Sequence, residues 1–331
     1  MDLTITSWLI VIGLLVFLLL LDFVTVSRKP HEVMFKEASL WSIFYIAVAI
    51  IFGGWVWLQF GSDYGTEYFA AYLVEKSLSV DNIFVFAIIL TQFAVPVIHH
   101  QRVLLFGVIL AIFMRAAFIA VGAVAIASFS FTFVLFGALL VWTGVKLMQH
   151  WDEDPDPSEN GLVRFAKRRF RFSDHYDGSK SFTKIDGKRY ATPMLLVMIA
   201  IASTDLLFAL DSIPATFGVT QEPFLVFSAN AFALLGLRAL YFLLQGLLNK
   251  LVYLSLGLAF ILIFIGIKLM LLYAHEVNDV FPKIQTNVSL AVIALILVSS
   301  AVASLIKVRK DPSAVAHAGR TSDPKKDEPK E

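Results

Sequence analysis

Nine stretches of about twenty mostly apolar residues follow one another along the chain, a pattern that suits lipid better than a soluble core. They cover residues 6–27, 39–59, 66–90, 102–127, 130–150, 193–217, 222–247, 251–273 and 286–307. A helix of ~20 residues rising 1.5 Å each crosses the ~30 Å hydrocarbon layer, and it satisfies its own backbone polar groups there. The predicted fold class is therefore all-α: a polytopic membrane protein of about nine transmembrane helices. Composition supports this, with 58% hydrophobic and 16% charged residues against about 25% charged in an average soluble protein.

Several function classes drop out at once. The net charge is +1 and no basic patch is interleaved with aromatic residues, so nucleic acid is not an expected partner. With no cysteine in the chain, disulfides, thiol catalysis and thiolate metal sites are excluded. Met1-Asp2-Leu3-Thr4 lacks the basic opening of a cleaved signal peptide, so the first span is expected to stay in the membrane. Alternate loops carry the Lys and Arg residues, among them Arg28, Lys29, Arg102, Arg164, Arg168, Lys250 and Arg309. By the positive-inside rule these loops face the cytoplasm of a cell inner (plasma) membrane protein, with the N-terminus outside and the C-terminus inside. Residues 151–192 form a cytoplasmic loop, acidic at Asp152-Glu153-Asp154-Pro155-Asp156 and then basic and amphipathic. That loop reads either as a solvated connector or as a stretch lying on the anionic inner leaflet. The tail over 308–331 is polar, and from 311 it is rich in Lys, Asp, Pro and Ser, so it is expected to be disordered.

Inside two of the spans sit charges that a plain membrane helix would not carry. One run is Glu75-Lys76-Ser77-Leu78-Ser79-Val80-Asp81-Asn82-Ile83-Phe84, the other Asp205-Leu206-Leu207-Phe208-Ala209-Leu210-Asp211-Ser212-Ile213-Pro214. Each has an acid, five residues, Asp, a small polar residue and Ile. A charge at membrane depth costs roughly 2.5–3.5 kcal/mol on insertion scales, so such residues are functional candidates. The duplication goes further. Arg115-Ala116 in the fourth span matches Arg238-Ala239 in the seventh, and Gly144-Val145-Lys146-Leu147-Met148 matches Gly266-Ile267-Lys268-Leu269-Met270. Residues 60–150 and 193–274 are thus two three-helix repeats, flanked by two helices over 1–59 and one over 275–307. Three is odd, so the second copy enters the membrane from the opposite side, and such inverted repeats place their sites near the midplane.

On an unbroken helix, residues six apart lie about 120° apart in azimuth and ~9 Å apart along the axis, so one helix cannot aim both acids at one small ion. Either a helix breaks, for which Pro214 beside the carbonyl of Leu210 is the candidate, or the site draws one acid from each repeat. Glu75, Asp81, Asn82, Asp205, Asp211 and Ser212 form the candidate metal-binding set. Asp81 and Asp211 are expected at its centre, with Glu75 and Asp205 as outer ligands, gates or proton carriers. An all-oxygen set suits hard divalent cations such as Mn²⁺, Mg²⁺ or Ca²⁺, and no His lies deep in a span to favour zinc. Arg115 and Arg238 are candidate counter-charges. The deep acids, Asp22 included, outnumber them, and the excess implies a bound cation, a proton or both. Asp22 also fits a place at the membrane surface, Asn230 fits either ligand or packing roles, and Lys146 and Lys268 fit snorkelling positions near span ends.

The acid runs, with Thr204 and Ala215 flanking the second, and Arg28-Lys29-Pro30-His31-Glu32 after the first span, resemble the TerC family of integral membrane proteins, especially its Alx-type members. The resemblance covers residues ~20–275 and carries the metal role onto Glu75, Asp81, Asp205 and Asp211. It implies metal-ion homeostasis, notably manganese export, and tellurite resistance, near the LysE-type exporters; an older proposal for the Alx type is a redox modulator. Where some relatives have Glu, this chain has Ala202, one ligand fewer. The expected function is therefore export of a divalent ion, most of all Mn²⁺, as transported ion rather than tightly bound cofactor. The alternative is a membrane-bound redox modulator, or a tellurite-resistance scaffold or sensor. Two aspartates sharing a proton could serve an intramembrane hydrolase, but no Gly-x-Gly-Asp accompanies them, and no enzyme activity or catalytic residue is assigned.

Overall fold

The structure, a computed structural model, describes residues 4–28, 33–152, 161–185, 187–244 and 251–311, together with 314 and 317. Before the loop come α1 (Ile5–Arg28), α2 (Phe35–Phe60), α3 (Ser62–Gln92), α4 (Val97–Ser128) and α5 (Thr132–Gln149). The loop holds α6 (Gly161–Arg169) and a hairpin of β1 (Phe182–Ile185) and β2 (Lys188–Ala191). After it come α7 (Pro193–Phe217), α8 (Pro223–Leu235), α9 (Leu237–Leu244), α10 (Leu254–Val277) and α11 (Thr286–Lys310). Pro193 and Pro223 open their helices where a missing N–H costs nothing.

Seven of these helices are each long and apolar enough to cross a membrane, and α8 with α9 makes an eighth span bent by 41°. The remaining expected span, the third in order, is α3, which is 31 residues long but carries Asp63, Glu67, Glu75, Lys76 and Asp81, too many charges to qualify by composition. The bend in the seventh expected span falls at Gly236, where the backbone ladder is interrupted. Lys76 Nζ donates to the freed Ala233 carbonyl at 3.4 Å, and a Cβ on Gly236 would lie 3.1 Å from that ammonium. A cation at the negative end of α8 offsets its dipole, so Lys76 serves the bend rather than its neighbour Glu75. The break expected at Pro214 does not occur. The α-helix runs through it to Phe217, its lost donor tolerated one turn from the helix end.

The two halves pack against each other in pairs that a pseudo-twofold rotation exchanges. α5 packs most extensively on α10, α3 on α8 and α4 on α7. At the α5–α10 seam, a Cβ on Gly137 would meet the Gly266 carbonyl oxygen at 2.6 Å, and one on Gly144 would meet the Ala259 oxygen at 2.8 Å. Contacts that descend along one helix as they ascend the other mean antiparallel packing. By the Gly-x-Lys-Leu-Met register, Gly144 corresponds to Gly266 and Gly137 to Ala259, so each contact is the image of the other. This is the relation an inverted repeat requires, and small residues permit it because backbones can approach closely. Gly266→Ala should therefore destabilise the protein by about 1–3 kcal/mol through overpacking against a backbone that cannot step aside. Thermal unfolding in detergent measures this, with Gly54→Ala, which faces no atom within 4 Å, as control. Equal melting of the two variants would show the seam to be slack.

The loop over 151–192 is more than a solvated connector. Val163 and Ala166 of α6 are buried in the same apolar cluster as α1–α4 and α7–α9, and Tyr176 Oη donates to the Phe93 carbonyl at 2.7 Å. The hairpin is a small departure from an all-helical chain, closed by Gly187 at φ 74°. Exposed Asp177 accepts from Thr183 Oγ1 at 2.9 Å and Lys180 Nζ at 3.2 Å, and these donors hold its carboxyl below the usual range. Their grip is present at neutral pH and is lost as pH falls through that lowered value. Of the tail, residues 308–310 finish α11 and Asp311, Ala314 and His317 are described, and the expected disorder of the rest lies outside the described residues.

Candidate functional site

α3 and α7 carry the two acid runs and pass each other antiparallel at the centre of the bundle. Three contacts in order along them establish the direction. Thr220 Oγ1 donates to Glu67 at 2.6 Å, Thr216 Oγ1 donates to Glu75 Oε1 at 2.7 Å, and Asp81 lies within electrostatic reach of Asp211. Glu75 stands ~20 Å and Asp81 ~29 Å along α3, Asp205 ~18 Å and Asp211 ~27 Å along α7, which puts all four deep in the membrane. Neither helix breaks, so the site draws acids from both halves.

The first acid of each run is held by one arginine. Arg115, rising from α4 and 1% exposed, donates from Nη1 to Glu75 Oε2 at 2.9 Å and from Nη2 to Asp205 Oδ1 at 3.2 Å. The Asn82 amide is assigned with its oxygen toward the guanidinium, because in that orientation it accepts from Nη2 at 3.1 Å and donates to the Leu78 carbonyl at 3.1 Å, whereas the reverse orientation faces acceptor to acceptor and donor to donor. Thr216, which binds Glu75, also sits 2.9 Å from the Ser212 carbonyl. The pairing is incomplete, because Arg115 Nε and Asp205 Oδ2 have no partner although both are buried. Buried polar atoms are normally satisfied, so each exception is informative.

The second acids form a different pair. Asp211 Oδ1 accepts from Thr143 Oγ1 of α5 at 3.0 Å, and Asp81 Oδ1 is buried without a partner. Neither acid is held by a Lys or Arg among the described residues. Ser79 Oγ and Ser212 Oγ are also buried and unpartnered. The six expected ligands therefore fall into two adjoining groups, Glu75, Asp205 and Asn82 around Arg115, and Asp81, Asp211 and Ser212 beside them. As they stand, no three acidic or imidazole side chains among the described residues are arranged to hold a metal ion.

Arg238 serves elsewhere. Its guanidinium grips Asp22 of α1 through Nε at 3.1 and 3.2 Å and through Nη2, and Nη1 donates to Gln101 of α4 at 3.2 Å. Asp22, considered for the membrane surface, is 2% exposed and pinned to α9. Lys268 does not snorkel either; it is 7% exposed and lies within electrostatic reach of Glu67. Asn230 is buried with Nδ2 unpartnered. Thr143 and Thr216 are the residues that sequence reasoning missed. Counterparts by repeat register are Ile265 and Phe86, so neither threonine is duplicated and the signal that singled out the acids is absent for them.

The family model for the integral membrane protein TerC family matches residues 60–312. The chain belongs to the TerC family. Its similarity to an uncharacterized membrane protein of Myxococcus xanthus, STKORF319, is 42% identity over 94% of this chain and 95% of the relative. With the uncharacterized membrane protein Rv2723 of Mycobacterium tuberculosis it shares 44% identity over 95% of this chain and 82% of that one. An Escherichia coli relative, named as a proposed membrane-bound redox modulator, Alx, is 38% identical over 82% of this chain and 85% of its own. No solved structure matches this TerC protein.

Proposed function

We propose that this TerC protein carries a hard divalent cation, foremost Mn²⁺, across the membrane through the Asp81–Asp211 pair, with export as the direction. One observation carries the reading: two buried acids from antiparallel helices of opposite halves lie within electrostatic reach of each other, and neither has a basic partner among the described residues. Two such charges in lipid demand a cation or protons, so the same carboxylates can exchange one for the other. Thr143 places a hydroxyl oxygen on Asp211, Ser79 and Ser212 of the two acid runs keep buried hydroxyls without partners, and no sulfur from cysteine competes, which favours hard ions over copper. The N-terminus outside and the C-terminus in the cytoplasm belong to the same proposal, on the distribution of Lys and Arg.

The redox name of the Escherichia coli relative favours a second reading, in which redox balance is the outcome. A chain without cysteine has no thiol chemistry of its own, so such an effect would run through the supply of a redox-active metal. Purified protein in liposomes decides between them. Metal-dependent flux should be highest for Mn²⁺ among Mn²⁺, Ca²⁺, Mg²⁺ and Zn²⁺, and no flux above protein-free liposomes for any of the four would refute the transport reading.

A further inference from the structure

We infer that Arg115 is a tethered stand-in for the transported cation: in the ion-free protein its guanidinium occupies Glu75 and Asp205, and the arriving cation displaces it. This rests on the transport reading above and goes beyond it by giving the ion-free state its own cation.

The position of Arg115 is the first ground. It bridges the first acid of both repeats, one from α3 and one from α7, as a cation shared by the two halves would. Its repeat counterpart Arg238 is committed to Asp22 and Gln101, so among the described residues Arg115 alone of the two deep arginines reaches the four acids of the two runs, and it holds two of them. The second ground is how loosely it holds. A guanidinium and a carboxylate form their strongest contact as a two-pronged fork. Here each acid receives only one prong, and Nε and Asp205 Oδ2 are left buried and bare. Arg238 on Asp22 supplies the contrast within the same molecule, engaging both carboxylate oxygens.

The third ground is continuity with the open acid pair. Asn82, which accepts from Arg115, adjoins Asp81 in sequence, and Thr216 links Glu75 to the carbonyl of Ser212, next to Asp211. A cation at Asp81 and Asp211 therefore competes with the guanidinium for neighbouring oxygens. Energetics supply the purpose. Four acids without any cation would make an empty carrier too costly to rearrange in a low-dielectric interior. An arginine that returns to Glu75 and Asp205 after release lowers that cost and lets the empty carrier return.

The test uses the full chain in liposomes with radiolabelled Mn²⁺, comparing net efflux into Mn²⁺-free buffer with exchange against Mn²⁺ on both sides. Net efflux needs the empty carrier to return, whereas exchange does not. Arg115→Gln should lower the ratio of net efflux to exchange about tenfold and tighten Mn²⁺ binding by a similar factor, a common size for coupling between ligands. Equal loss in both modes, or weaker Mn²⁺ binding, overturns the inference. Arg115→Lys keeps the charge without the planar fork and should fall between, so it carries the test if the glutamine variant does not fold; wild-type values for both quantities in the lysine variant would count against it. If wild-type protein moves no divalent cation, the transport reading fails by itself. Competition is then still read from Mn²⁺-induced thermal stabilisation, which should be larger in Arg115→Gln than in wild type, and an equal shift overturns it.

Discussion

Asp81→Asn and Asp211→Asn should each reduce divalent-cation flux in liposomes to background while leaving the protein folded and inserted. The substitution keeps the shape and removes one charge. At an effective dielectric of about 20, a unit charge ~4 Å from another contributes about 4 kcal/mol, and a divalent ion doubles that. Loss of one carboxylate therefore weakens binding by more than about two orders of magnitude. Folding should survive, because among the described residues neither acid is held by a basic side chain that would be stranded. The unpartnered Asp81 Oδ1 even gains the option of donating as an amide. Thr143→Val removes only one hydroxyl donor to Asp211, worth about 1.5–3 kcal/mol to a charged acceptor, and should have the smaller effect. Wild-type Mn²⁺ flux in Asp211→Asn would remove the pair from the path.

The second large effect concerns stability. Asp22→Ala or Arg238→Ala should each cost about 3–5 kcal/mol, because the survivor is left as a buried charge without its partner. Asp22 is 2% and Arg238 4% exposed, so water cannot easily replace the lost group. The double variant Asp22→Leu/Arg238→Met should recover most of the loss, since it removes both charges and keeps the volume. A double-mutant cycle in detergent should give a coupling of about 2 kcal/mol or more. Additive single losses would mean that the contact does not hold α1 to α9. Glu75 and Asp205 have no such simple cycle, since both depend on Arg115.

Much of this protein was legible before its tertiary structure. Apolar runs locate spans because hydropathy and helix rise are local properties, and the expected seventh segment failed only at Gly236. There the bend depends on Lys76, which arrives from a helix about 160 residues earlier in the chain. Charge at membrane depth and its duplication singled out all four acids, and three spans per repeat set the two halves in opposite directions; that Gly144 and Gly266 line a seam between α5 and α10 only the structure shows. Thr143 and Thr216 escaped because their repeat counterparts, Ile265 and Phe86, are apolar. Pro214 misled because a lost donor near a helix end costs less than one at its centre.

By itself, then, the sequence determined a membrane protein of two related halves, with more buried acid than base. Such facts follow from composition, periodicity and repetition, which need no neighbours. Only the tertiary structure decided which acid meets which base. Arg115 could have served either repeat and serves both; Arg238 left the central acids for Asp22, 216 positions away in sequence. That allocation, which among the described residues leaves Asp81 and Asp211 within electrostatic reach of each other and without a base, depends on packing between helices far apart in the chain.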